Sequence, residues 1–130
     1  MIIGIGSDLI DIRRIEAVIK RQGQKFLNRV FTAYEQERSQ LRAHSTASYA
    51  KMFAAKEALI KALGTGLAKG VTWHNIEVRR EPWSPPTLIL SGMAKHHFQS
   101  RIPSGLTGRI HLSMTDEPPY AQAFVVLSAE

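Results

Sequence analysis

Residues 53–66, FAAKEALIKALGTG, constrain the fold more than any other stretch. The run reads as a helix with a glycine stop. At about 100° per residue, Phe53, Leu59, Ile60, Leu63 and the preceding Met52 fill one arc of the helical wheel. Ala54, Ala55, Ala58 and Ala62 fill nearly all of the opposite arc. Glu57 and Lys61 are left in the narrow gap between the arcs, one turn apart on the same face. A surface helix carries a broad polar side, whereas one that is apolar nearly all round is buried. The remaining chain must therefore cover this helix. A carboxylate and an ammonium kept side by side on it need a reason to be there.

The chain has 130 residues, 44% of them hydrophobic, which is enough for one ordinary domain with a real core. Residues 2–6, IIGIG, predict a short buried strand. Asp11 can cap a helix over 12–22 with Ile12, Ile15, Val18 and Ile19 facing inward, ended by Gly23. A short helical piece follows over 24–30. Thr32 and Glu35 form a capping box that opens a helix running to about Arg42. The HSTAS cluster at 44–48 separates that helix from the long one ending at Gly64. The second half reads as strands at 75–80 and 87–90, a short helix around 93–99, and a hairpin of 109–115 with 121–128 around DEPPY. Helices early and antiparallel strands late predict an α+β fold in a single small domain spanning 1–130.

Several classes of function are excluded. With no cysteine there is no disulfide, thiol nucleophile or thiolate zinc site. The N-terminus lacks a basic leader region, Asp8 interrupts its apolar run, and no stretch is long enough for a membrane span. A soluble, cytoplasmic protein is expected. The formal charge is +6 and is uneven: residues 1–65 hold 11 Lys/Arg against 6 Asp/Glu, and residues 66–130 hold 6 against 5. The basic surplus, densest in Arg13, Arg14, Lys20, Arg21, Lys25 and Arg29, suits nucleic acid, an acidic protein or a phosphorylated small molecule.

The candidate chemistry is narrow. GIGSDL begins like a dinucleotide fingerprint, but Leu9 stands where the third glycine belongs, and there is no Walker lysine. Gly4 and Gly6 instead suggest close packing at a strand end. Asp8 follows that strand, and Asp11 already serves as a cap, so Asp8 is left without a local role. Paired with Glu57, it would suit Mg²⁺, which takes one or two carboxylates and fills its other positions with water and phosphate oxygens. Lys61 would answer a phosphate in the same pocket; the plainer reading is an i,i+4 salt bridge to Glu57. The five histidines form no metal-binding spacing, and Trp73 and Trp83 are expected at the edge of the core.

These residues resemble the holo-[acyl-carrier-protein] synthase family, the small phosphopantetheinyl transferases. The likeness rests on Gly6-Ser7-Asp8 with Arg14 in GSDLIDIRR and on the lysine-glutamate helix FAAKEALIKALGTG. FTAYE at 31–35, NIEV at 75–78 and the final hairpin also match, so it spans nearly the whole chain. The resemblance implies transfer of 4′-phosphopantetheine from coenzyme A to a serine of an acidic apo acyl carrier protein, in support of fatty acid biosynthesis. It implies that Asp8 and Glu57 hold Mg²⁺, that Asp8, Glu57 and Lys61 are catalytic, and that Lys61, Gly64, Pro86 and Thr115 contact coenzyme A. Arg14, with Arg13, Arg21 and Lys25, would dock the carrier protein. Relatives of this type form trimers with active sites between subunits. No nucleic acid and no membrane is implied.

One departure stands out. Many relatives have serine-x-serine-histidine where this chain has Ser113, Met114, Thr115 and Asp116, so an aspartate occupies the histidine position near the nucleotide. The base that deprotonates the carrier serine is open between a water and a carboxylate such as Glu35, whose capping box already accounts for it. Two rivals stand beside this reading: a basic nucleic-acid module, which leaves Glu57 unexplained, and a non-catalytic relative that binds without turnover.

Overall fold

The structure is a computed structural model that describes residues 1–130. Strand β1 (Ile2–Asp11) leads into three short helices, α1 (Ile12–Gln22), α2 (Gln24–Val30) and α3 (Ala33–Gln40), and then the long α4 (Ser45–Leu63). A 3₁₀ turn at Trp73–Asn75 precedes β2 (Ile76–Arg79) and β3 (Thr87–Leu90); α5 (Gly92–Ser100), β4 (Gly108–Glu117) and β5 (Tyr120–Ala129) complete the chain. The three long strands form one sheet in the order β1-β5-β4, and β2 with β3 forms a separate ribbon. All pairing is antiparallel, which gives the expected α+β architecture.

Local chemistry sets the helix ends. The Asp11 carboxylate accepts from the Arg13 N–H at 2.9 Å and starts α1. Thr32 and Glu35 complete the capping box of α3 in both directions. Gly64 takes a left-handed conformation, φ 76°, and its N–H closes α4 on the Ile60 carbonyl at 3.0 Å.

Helix α4 lies across the inner face of the three-stranded sheet. Ile110, Leu112 and Met114 of β4 and Ala121, Ala123, Val125 and Leu127 of β5 alternate toward it and join the core. Against β1 the approach is closer still. A Cβ on Gly6 would lie 1.9 Å from the Ala58 carbonyl oxygen, and one on Gly4 would lie 2.3 Å from that of Ala62. Two strand residues advance about 6.7 Å and four helical residues about 6 Å, so the contact repeats in step. The glycines and the alanine arc are thus two halves of one backbone-to-backbone packing.

Some details differ from expectation. β1 runs through to Asp11, so Asp8 sits within the strand, opposite Ala123 of β5, rather than after it. Pairing with β5 overrides the poor strand propensity of two aspartates. α3 ends at Gln40 rather than near Arg42, and the hairpin strands extend into DEPPY, leaving Pro118 and Pro119 as the turn. Trp73 stacks on Phe53 with centroids 5.3 Å apart, as a core-edge residue should. Trp83 does not: it is fully exposed on the loop joining β2 to β3, where the proline-rich EPWSPP segment carries it away from the core. No helix is long and apolar enough to cross a membrane.

Candidate active site

The β1–α4 contact builds the site. Gly4, Gly6 and Asp8 share the helix-facing side of β1 because strand side chains alternate. Asp8, two residues past the Gly6–Ala58 contact, therefore meets the flank of α4 that carries Glu57 and Lys61. The Lys61 ammonium donates to Asp8 Oδ1 at 3.1 Å and to the Ser7 carbonyl at 3.0 Å. Glu57, one turn earlier, is half-buried. Burial pushes its carboxyl up from the ordinary value; the nearby Asp8 charge pushes the same way, and Lys61 partly opposes them. The two carboxylates repel each other across a site that one ammonium only partly neutralises.

The flank is more open than the wheel implied. The Lys61 side chain is 55% exposed and Asp8 17%, because this gap between the apolar arcs faces the margin of the sheet, where β1 is an edge strand. No group of three or more acids and histidines gathers anywhere in the chain. Two hard carboxylate donors nonetheless fit Mg²⁺ chemically, since that ion retains waters and recruits phosphate oxygens rather than demanding an all-protein cage.

A second lysine–carboxylate pair went unnoticed in the sequence. Lys56 and Glu35 are both 0% exposed and lie 2.7 Å apart. The Lys56 ammonium also donates to the carbonyls of Val30 at 2.9 Å, Trp73 at 3.2 Å and Ile76 at 2.7 Å. Glu35 accepts from the Thr32 N–H through Oε1 and, through Oε2, from the Val78 N–H at 2.7 Å. Desolvation drives the lysine pKa down, with Glu35 acting the other way. The signal was available: on the wheel Lys56 falls between Leu63 and Ile60, in the middle of the large apolar arc. With both oxygens engaged inside the core, Glu35 has no free face for a carrier serine.

The other candidates are dispersed. Gly64 is the C-cap of α4, one turn beyond Lys61. Pro86 lies half-buried just before β3. Thr115 is exposed on β4 opposite Gln122, on the sheet face turned away from α4. Asp116 forms an ion pair with Lys51 at 3.2 Å and shares a surface hollow with Arg42 and His44. Arg13 is bound to Asp11, with Nη2 to Oδ2 at 2.6 Å, and holds that carboxyl down at about 2. Arg14 and Arg21 border a groove floored by Ile10, Ile15, Val18 and Phe53. Lys25 is exposed on α2.

Arg101, also missed, joins the two elements of the site at their far end. Its guanidinium donates to Ala62 O at 2.9 Å, Leu63 O at 3.0 Å and Ile3 O at 2.6 Å. It thereby satisfies orphan carbonyls at the α4 C-terminus and places a cation at the negative end of the helix dipole.

The fold is that of a phosphopantetheinyl transferase. Residues 4–118 match the 4′-phosphopantetheinyl transferase superfamily, and the chain belongs to it. Within it the chain falls in the holo-[acyl-carrier-protein] synthase family: it is 53% identical over 129 residues to the synthase of Brucella ovis, covering 99% of this chain and 96% of that one. The crystal structure of the synthase from Neisseria meningitidis superposes with a TM-score of 0.86 at 34% identity, covering 98% of this chain and 99% of that one. The Helicobacter pylori synthase in complex with coenzyme A gives 0.79 at 31% identity, over 95% and 99%.

Proposed function

We propose that this chain, a single transferase domain over 1–130, moves 4′-phosphopantetheine from coenzyme A to a serine of an apo acyl carrier protein, supplying the holo carrier for fatty acid biosynthesis in the cytoplasm. The serine oxygen forms a bond to the β-phosphorus and loses its proton, and the pyrophosphate bridge breaks to release adenosine 3′,5′-bisphosphate. The observation that carries this reading is the convergence of Asp8, Glu57 and Lys61 at the β1–α4 contact.

In this reading Asp8 and Glu57 hold Mg²⁺. When bound, the ion neutralises charge on the pyrophosphate and on the leaving oxygen. Lys61, more than half exposed beside Asp8, would contact the substrate phosphates. Gly64 allows the chain to turn away beside them. The committed oxygens of Glu35 favour a water as the base. On the nucleotide side, Lys51 and Arg42 supply the cations that Asp116 cannot.

The outer face of the three-stranded sheet carries exposed Ile5, Leu9 and Phe124. Such an apolar face suits burial against further copies, in keeping with a homotrimer. Thr115, on the sheet face turned away from Asp8, and Pro86 would then reach coenzyme A across a subunit boundary. Arg14 and Arg21, around an apolar groove, suit an acidic carrier protein whose encounter is steered by charge, with Lys25 and Arg13 nearby.

Intact-mass spectrometry tests the reaction. Apo carrier protein incubated with this protein, coenzyme A and Mg²⁺ should gain one phosphopantetheine, and EDTA should abolish the gain. No gain with a carrier from the same organism would sink the transferase reading.

A further inference from the structure

We propose that the buried Glu35–Lys56 pair is the positioning device of the active site: it fixes the rotation of α4 about its own axis and so aims Glu57 and Lys61 at Asp8. This rests on the reading of Asp8 and Glu57 as the metal-holding pair.

Stability alone does not explain the pair. Removing two charges from water is costly, and apolar side chains of similar volume are often as stabilising in their place. What an apolar replacement cannot supply is direction. The Lys56 ammonium binds the Glu35 carboxylate together with carbonyls from the end of α2, from the 3₁₀ turn and from β2. Glu35 in turn holds the N-terminus of α3 and the Val78 N–H of β2. Four separate segments are thus fastened to one point on α4.

The opposite side of the helix shows why such a fastening matters. There α4 meets β1 through Gly4, Gly6, Ala58 and Ala62. That contact fixes a distance, but it has few side chains to resist a roll of the helix. Arg101 pins only the last turn. Lys56 and Glu57 are consecutive, so a roll that displaced one would displace the other. The polar node on one flank therefore sets the bearing of the carboxylate on the other.

The test uses Mn²⁺ as an electron-paramagnetic probe of the metal site, alongside steady-state kinetics. Lys56→Met leaves Glu35 buried without its partner and is prone to unfold. The informative variant is Glu35→Gln/Lys56→Met, which removes both charges and keeps an acceptor for the α3 cap. Its folded population should bind Mn²⁺ about tenfold more weakly, the scale on which groups that orient metal ligands act. Its kcat should fall while KM for the carrier protein holds. Leu127→Ala, a core truncation away from the node, should lower the melting temperature yet keep native Mn²⁺ affinity. Native Mn²⁺ affinity and kcat in the double variant would overturn the proposal. Glu57→Gln separates this from the parent reading: if that variant binds Mn²⁺ like the native chain, the metal assignment itself fails.

Discussion

Lys56 and Lys61 sit five residues apart on α4, and each pairs with a carboxylate. Their surroundings are opposite. Lys56 and Glu35 are sealed in the core with every oxygen and N–H engaged, whereas Lys61 is more than half exposed and shares its ammonium between Asp8 and a backbone carbonyl. The difference separates two uses of the same chemistry. A sealed pair is permanent, because opening it strands a charge in a medium that cannot solvate it. An open pair is exchangeable, because water and a substrate phosphate can replace either partner at small cost. One helix thus carries a sealed charge pair and an open one, and the open one is the pair proposed for chemistry.

The contrast predicts a separation of phenotypes. Lys56→Met should cost about 3–5 kcal/mol in a urea melt, the range for breaking a buried pair from one side. Lys61→Met should cost under about 1 kcal/mol in the same melt, but lower kcat/KM for phosphopantetheine transfer on the order of 10²-fold. Equal melts for the two variants would erase the distinction. Gly6→Ala tests the framework between them: it places a methyl group against the Ala58 carbonyl and should destabilise by about 1–3 kcal/mol, with weaker metal binding as β1 and α4 separate.

The smallest effect concerns Asp11 and Arg13, a pair at the surface whose arginine is largely exposed. Arg13 lowers the Asp11 carboxyl from 3.8 to about 2. Its contribution is therefore complete above the unfolded value and is lost as pH falls through the folded one. Asp11→Asn, which keeps a helix cap, should flatten the stability profile only across that acid window. A variant profile parallel to the native one between these values would show that the pair contributes nothing.

How far the sequence carried this picture depends on which interactions are local. The caps at Asp11, Thr32 and Glu35 and the stop at Gly64 depend on neighbours in the chain, and all form as expected. The gap holding Glu57 and Lys61 follows from helical period alone. Asp8 could be paired with Glu57 by cation chemistry and by resemblance but not by spacing, since the glycine–alanine packing that joins β1 to α4 links residues some fifty apart. Lys56 stands out by its place in the apolar arc, but its partners do not. Its partners come from α2, α3, the 3₁₀ turn and β2, and no local pattern unites them. Trp83 shows the reverse error: a large apolar side chain is expected at the edge of the core, but a proline-rich loop can hold even tryptophan in water.

The Gly6–Ala58 contact carries one more consequence. It sets the gap between strand and helix by the absence of a methyl group. Side chains can swing to suit a guest, but two touching backbones cannot. In the proposed site the carboxylates of Asp8 and Glu57 would hang from a frame of nearly fixed width, and such a frame would grade its guests by ionic radius. Mg²⁺ takes its oxygens at about 2.0–2.1 Å and Ca²⁺ at about 2.3–2.6 Å. In the proposed site, calcium would compete poorly wherever it required β1 and α4 to part. The selectivity of the catalyst would then reside in two residues that touch neither ion.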